Sequence, residues 1–478
     1  MAAKVWYREF WGERKREELL DSLNQETVAR PYEALPLSEA GKRAFRPGTR
    51  QADYISWATL PDLSLTSDWS GLLEKRKGAL LAHDRSELEA RMRRYTDPKI
   101  PFAALVPGRD GPIESAAGFD AAKVRGKFLA AGGTQTGNIR RLAVLPFDVR
   151  WCFHSDIQPL WNRSRPDIAA QQAAGAAFLA ARNGFRRAEF GLPVIVTRAL
   201  PGDYILDPNS HPFPNALYPV AAGALAPASD APPRPNLSPA ALAWTAALGL
   251  PPDADTSRFV WHHALAVTYS PAYLAENAAG IRQGWPRIPL PDRADLLRAS
   301  ASLGARLGVL LDADTPVPGV TEGDIAPDLA SIAVPATRAG AARDWHLVGW
   351  GHRTDRGVTM PGRGATTLRD YAPEEAATAA QASLLGARTL DVAMNDASHW
   401  RNIPEAVWET HIGGYQVIKK WLSYRDRSIL DRALTAEEVA HVQSVARRLA
   451  AIRLMGQALD ASFRACAAAH RPLQTGSE

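Results

Sequence analysis

Cysteine is nearly absent: the 478 residues include two, Cys152 and Cys466, far apart in the chain. That spacing excludes a disulfide framework and a cysteine-built zinc site. Long apolar runs are missing too. Nothing approaches the roughly 18 uninterrupted apolar residues of a spanning helix, and the opening MAAKVWYREFWGERKREELL turns charged too early for a secretory signal. No membrane is expected as a partner, and a reducing cytoplasm is the expected setting. Neither sign of charge dominates, since 56 Lys and Arg face 51 Asp and Glu for a net +5, a weak pointer to an anionic partner. With 46% hydrophobic and 22% charged residues the chain can bury a large core. At about 150 residues per domain, two to three domains are expected.

Catalytic signatures are also lacking. An amino-methyltransferase that uses S-adenosylmethionine needs a Gly-rich turn after a strand and an Asn/Asp/Ser-Pro-Pro-aromatic tetrapeptide. The two Pro-Pro pairs, in Ala-Pro-Pro-Arg at 231–234 and Leu-Pro-Pro-Asp at 250–253, have neither the polar first nor the aromatic last residue. GGTQTG at 132–137 and GRGATT at 362–367 lack the lysine with which a phosphate-cradling loop reaches its nucleotide. Asp97-Pro98-Lys99 has the Asp-x-Lys form of metal-dependent nucleases, but a proline separates the pair and no second carboxylate sits in good strand context. His262 and His263, read as strand neighbours, would face opposite ways and could not easily share a metal. No GxSxG elbow selects a nucleophile. The expectation is no catalytic, cofactor-binding or metal-ligating residue, and no cofactor.

What is present is a mixed pattern of helix and strand. Residues 1–23 read as a short helix leading into a Pro- and Arg-containing connector. Tyr54 to Leu65 suggests strand and turn, and SELEARMRRY a helix boxed by Ser86 and Glu89. Leu142–Phe153 and Leu192–Leu200 are strand-like runs flanking an Ala-rich helix candidate, Asp167–Arg182. Between Pro219 and Asp253 proline and alanine dominate, which predicts a surface insertion. Asp292 is placed to cap a helix carrying Leu297, Leu303, Leu307 and Leu310. Thr435 and Glu438 form a capping box ahead of Val439, Val442, Ala446, Leu449, Ile452, Leu459 and Phe463, a stripe at helical spacing that reads as packing. The fold class expected is α+β, a mixed-sheet domain with a helical C-terminal part. The chain divides into a helical lead-in (1–50), a basic α+β region (51–218), the Pro/Ala-rich insertion (219–258), a second α+β region (259–400) and the helical part (401–478).

The charge is regional. From Lys123 to Arg198 there are 12 Lys and Arg against 4 Asp and Glu. Inside it, NIRRLAVLPFDVRWCFHSDIQPLWNRSRP at 138–166 gathers Arg140, Arg141, Arg150, Arg163 and Arg165 with Trp151, Trp161 and Asn162. Arginine pairs with phosphates and forks onto guanine, asparagine bonds adenine, and aromatic rings stack, so one reading is a nucleic-acid surface. The other is that the tryptophans are core and the arginines form surface ion pairs. In IGGYQVIKKWLSYR at 412–425, Tyr415, Val417, Ile418, Trp421 and Leu422 predict a buried helix face, with Lys419, Lys420 and Arg425 on or near the opposite side. On composition alone that is a solvated face.

Read in order, SGLLEKRKGALLAHDRSELEARMRRY, the two blocks just described, FPNALYP (213–219), SPAYLAENAAGIRQGWPRIPLP (270–291), MPGRGATTLRDY (360–371) and NIPEAVWETHIGGYQVIKKWLSYR (402–425) resemble the C-terminal specificity region of type ISP restriction-modification enzymes. GWPRIPLP and IGGYQVIKKWL are the most specific, and the resemblance covers roughly 50–465. It implies a target-recognition domain for double-stranded DNA that serves N6-adenine methylation in phage defence, in enzymes that also carry nuclease and ATPase parts. Arg140, Arg141, Arg150, Trp151, Asn162, Arg163, Arg165, Lys419, Lys420 and Arg425 are then the expected DNA-binding residues. Those enzymes carry their methyltransferase motifs upstream, and this sequence has none. A separate methyltransferase subunit, with or without nuclease and ATPase parts, is the expected partner, and a gene split from its upstream half is the other explanation. The competing reading is an enzyme, a methyltransferase or metal-dependent nuclease, whose site escapes motif analysis.

Overall fold

The protein is described from a computed structural model covering residues 6–8, 15–24, 32–34, 52–132, 139–185, 190–220, 231–354 and 358–473. The chain falls into two units, Met1–Ile55 and Ser56–Glu478. The first holds the helix Lys15–Asn24 and a two-residue antiparallel pairing of Trp6–Tyr7 with Glu33–Ala34.

The second unit is α+β, with a helical C-terminal part. In its N-terminal half, Ile139–Leu145 and Asp148–Phe153 form an antiparallel hairpin turned at Phe147. Leu81–Ala82 extends this sheet on one side, and Leu200–Pro201 joins it in parallel on the other. The helices Arg85–Thr96 and Ala121–Ala130 send Leu88, Met92, Tyr95, Val124 and Phe128 into one core cluster with Cys152, Phe153 and Trp161. The Phe128 and Phe153 rings meet edge to face at 5.7 Å. A second sheet, ordered His211–Pro214, Phe178–Ala181, Val194–Thr197, is antiparallel throughout. A third runs Val334–Thr337, Ser398–Pro404, Thr389–Ala393, Thr366–Arg369, also antiparallel.

Helices dominate elsewhere. Ala254–Thr268 packs on Ala294–Leu311 so closely that a Cβ on Gly304 would lie 1.8 Å from the His262 carbonyl oxygen. The stripe from Val439 to Phe463 is buried as expected and the Thr435–Glu438 box forms, but the chain breaks into two helices, Ala436–Leu454 and Gly456–Ala468. No helix among the described residues is long and apolar enough to cross a membrane.

Several local expectations are corrected. Asp84, not Ser86, caps the 85–96 helix by accepting the Glu87 N–H. The 54–65 stretch is mostly helical turns, because Thr59 and Asp62 form a capping box that starts the turn Leu60–Leu63. The Ala-rich helix stops at Ala173; Gly175, at φ 102°, turns the chain out, and Phe178–Ala181 becomes a strand. His262 and His263 lie on a helix capped by Asp253, and the buried His263 bonds Ser300 and the Pro289 carbonyl. The helix after Asp292 begins at Ala294 with no side-chain cap. Part of the Pro/Ala-rich stretch lies outside the described residues, and part of the rest is core. Asn236 is fully buried, its amide donating to the Pro214 carbonyl and the Thr66 hydroxyl.

Candidate nucleic-acid interface

Strand pairing decides where the arginines of 138–166 point. Arg141 and Trp151 face each other across the hairpin, with the guanidinium 4.9 Å from the indole centre. Arg141 also forks onto Asp314 at 3.0 and 2.6 Å. Arg85 approaches the same half-buried indole at 5.3 Å. Arg140 turns inward and donates to the Ala169 carbonyl at 3.0 Å and to Gln172 at 3.1 Å, tying the sheet to the helix Pro166–Ala173. Arg163 donates to Ser70 at 2.8 Å and to Asp203 at 2.6 Å, and Arg165, at φ 51°, reaches the same serine hydroxyl. Asn162 is exposed. Trp161 is core, its indole N–H donating to the Phe153 carbonyl at 2.9 Å.

The structure brings together two expected DNA contacts that lie far apart in sequence. Asp148 is completely buried and accepts from both Arg150 and Arg425, the latter at 3.0 Å. Burial would raise the Asp148 carboxyl, but the two guanidiniums outweigh it and hold the group well below the usual carboxylate range. Arg425 was expected beside the lysines on a polar helix face. The helix Val417–Ser423 ends before it, so Arg425 turns inward, 5% exposed, with its guanidinium 3.7 Å from the Trp421 ring centre. Two imidazoles complete the cluster. His83 is pushed down to about 2 and His441 to about 4, each first by burial and then by neighbouring arginine charge. His441 stacks on Trp421 and donates to the Phe147 carbonyl at 2.9 Å. This cluster joins the N-terminal sheet to the C-terminal helices.

Lys419 and Lys420 are half-buried on the 417–423 helix, whose Val417, Ile418, Trp421 and Leu422 are core as expected. Lys420 lies 4.8 Å from the Tyr424 ring centre. In the loop ahead of the first sheet, the Glu74 carboxylate gathers the N–H groups of Arg76, Gly78 and Leu80, and Lys75 and Lys77 are displayed outward.

Sequence reasoning missed another basic stretch. Residues 338–369 hold six arginines against two acids, a signal the same charge count used on 123–198 would have found. Here Arg338, Arg343, Arg353 and Arg363 are exposed, and none has a carboxylate partner among the described residues. The stretch contains the antiparallel hairpin Gly351–Arg353 with Thr359–Pro361, which packs on the lysine-bearing helix: a Cβ on Gly351 would lie 2.0 Å from the Ser423 carbonyl oxygen. The mixture of arginine with tryptophan and asparagine favoured 138–166, yet most of those guanidiniums are occupied within the protein. Among the described residues no three His, Cys, Asp or Glu side chains converge as a metal site would require, and Asp97 instead accepts the Lys99 N–H in a local turn.

Comparison with known proteins gives a family-level match. The model for the Type ISP C-terminal specificity domain matches residues 67–454. No curated protein matches in sequence. Among solved structures, a nuclease-deletion mutant of the Type ISP restriction-modification enzyme LlaGI in complex with a DNA substrate mimic aligns with a TM-score of 0.55 at 12% identity, over 96% of this chain and 39% of that one. The DrdV–DNA complex aligns at 0.56 and 15% identity, over 97% and 43%. LlaBIII, an ATP-dependent Type ISP restriction-modification enzyme bound to DNA, aligns at 0.53 and 12% identity, over 90% and 26%. At these identities the likeness is one of fold, and the chain spans less than half the length of each enzyme.

Proposed function

Because the chain belongs to the family of Type ISP C-terminal specificity domains, we propose that it binds double-stranded DNA at a specific sequence as the target-recognition part of a restriction-modification system acting on adenine. The observation that carries this reading is the set of exposed cations without carboxylate partners among the described residues, Arg338, Arg343, Arg353 and Arg363, on a fold shared with enzymes solved on DNA. A guanidinium that lacks an internal carboxylate keeps its charge available for phosphate or guanine. Catalysis belongs, on this reading, to a methyltransferase partner in the cytoplasm, with nuclease and ATPase parts beside it. Of the residues singled out by sequence, Asn162, Lys419 and Lys420 are the ones we place toward DNA. Arg141, Trp151, Arg163 and Arg165 stand at its margin, and Arg140, Arg150 and Arg425 hold the scaffold.

The test is a titration of the purified chain with duplex DNA at several salt concentrations. Each phosphate neutralised adds about 0.9 to the slope of log affinity against log salt, so steep dependence is expected. Affinity that is flat with salt would refute the electrostatic surface, and saturable binding of S-adenosylmethionine would favour an enzyme instead.

A further inference from the structure

We propose that the hairpin Gly351–Arg353/Thr359–Pro361 is the element that reads base pairs, by entering the major groove, and that Lys419 and Lys420 at its base hold the adjoining phosphates. This rests on the reading that the chain binds duplex DNA, and it assigns a job within that surface.

The stem of the hairpin is fixed from three directions. Asp426 accepts the N–H groups of Trp350 at 2.7 Å and Gly351 at 3.2 Å, and Ser428 donates to the Gly351 carbonyl at 3.2 Å. Trp350 is fully buried, its indole N–H donating to the Ala393 carbonyl at 2.8 Å. A rigid mount is what base reading requires, because the fork of an arginine must meet O6 and N7 of guanine within a few tenths of an ångström.

Beyond the stem the ribbon is exposed. His352 pairs with Met360 and Arg353 with Thr359 across it. Val358 is 54% and Met360 44% exposed, a costly arrangement for apolar side chains unless something covers them. Arg353 and Arg363 are exposed and free of carboxylate partners among the described residues. Two observations favour DNA over a protein as the occupant. A two-stranded ribbon matches the major groove, about 12 Å wide, and its mixture of arginine, threonine and apolar tips matches guanine edges and thymine methyls. The arginines of 338–369 also outnumber its acids six to two, a surplus that suits a polyanion. The backbone of the 417–423 helix abuts Gly351, so Lys419 and Lys420 flank the stem, where a duplex entered by the ribbon would present its phosphates.

The experiment selects bound duplexes from a randomised library with the full chain and sequences them. Wild type should enrich one motif. Arg353→Ala and Arg363→Ala should enrich a motif degenerate at one or two positions, with preference there reduced about 5- to 150-fold. Lys419→Ala/Lys420→Ala should enrich the wild-type motif with uniformly weaker binding and a salt slope smaller by about 2. An unaltered motif in both arginine variants, each melting with wild type, would overturn the hairpin assignment while leaving DNA recognition standing. Unaltered motif and affinity in Met360→Ala as well would point to a protein occupant. Failure of wild type to enrich any motif would remove the underlying reading together with this one.

Discussion

The Asp148 carboxylate is shared by two guanidiniums, Arg150 and Arg425, from segments more than 270 positions apart. Removing it would leave Arg150 buried without its carboxylate and Arg425 with only the more distant Glu438 at 3.6 Å, so Asp148→Asn should cost about 3–5 kcal/mol, read from urea unfolding. A cost within experimental error would mean the arginines find water or another acid. His441 gives a pH dependence. Burial and the Arg425 charge hold it down to about 4 in the folded protein, against about 6.5 unfolded. Below pH 6.5 the unfolded chain therefore binds a proton that the folded one refuses, and stability falls as the pH drops from 6.5 toward 4, by up to about 1.4 kcal/mol per unit. His441→Gln should flatten that slope, measured as unfolding free energy across the window. Asp148 acts in a lower window: its stabilisation is present above the unfolded carboxylate value and is lost only as the pH falls through its depressed folded value.

Within the helix Val417–Ser423 the two faces have separate work. Trp421, 4% exposed, lies against both Arg425 and His441. Trp421→Ala should therefore cost about 3–5 kcal/mol, enough to unfold a marginal domain. Lys419→Ala/Lys420→Ala should change stability by no more than about 0.5 kcal/mol while lowering DNA affinity. Thermal melts beside binding titrations check both, and early melting of the lysine variant with DNA affinity intact would show the faces reversed. The apolar face was legible because Val417, Ile418, Trp421 and Leu422 repeat at spacings of three and four. The exit of Arg425 was not, since it depends on the helix ending at Ser423 and on a carboxylate, Asp148, supplied from another sheet.

On the proposed function the molecule carries a recognition surface in a chain without methyltransferase motifs. The expectation is that the purified protein alone transfers no methyl group from labelled S-adenosylmethionine to duplex DNA; incorporation into adenine would place a catalytic site here. The exposed arginines without carboxylate partners among the described residues also lie outside the segments that the sequence reading singled out for DNA contact. The 123–198 region holds the larger number of arginines, but much of that charge is neutralised by Asp148, Asp203, Asp207 and Asp314. The 338–369 stretch has fewer arginines and, among the described residues, leaves more of them without a carboxylate partner.

The sequence by itself determined the family, through ordered blocks that survive without any catalytic motif, and it determined the elements whose information is local. The Thr435–Glu438 box and the stripe from Val439 to Phe463 are of this kind, because helical periodicity and capping are set within a few residues. Tertiary structure decided which charges face water. An arginine read from sequence is a cation of unknown destination, since its partner comes from any distance along the chain. Arg141 meets Asp314, Arg163 meets Asp203, and Arg150 and Arg425 converge on Asp148 only after the sheet and the C-terminal helices have packed. The exposed arginines Arg338, Arg343, Arg353 and Arg363 are the remainder, to which folding brought no carboxylate among the described residues.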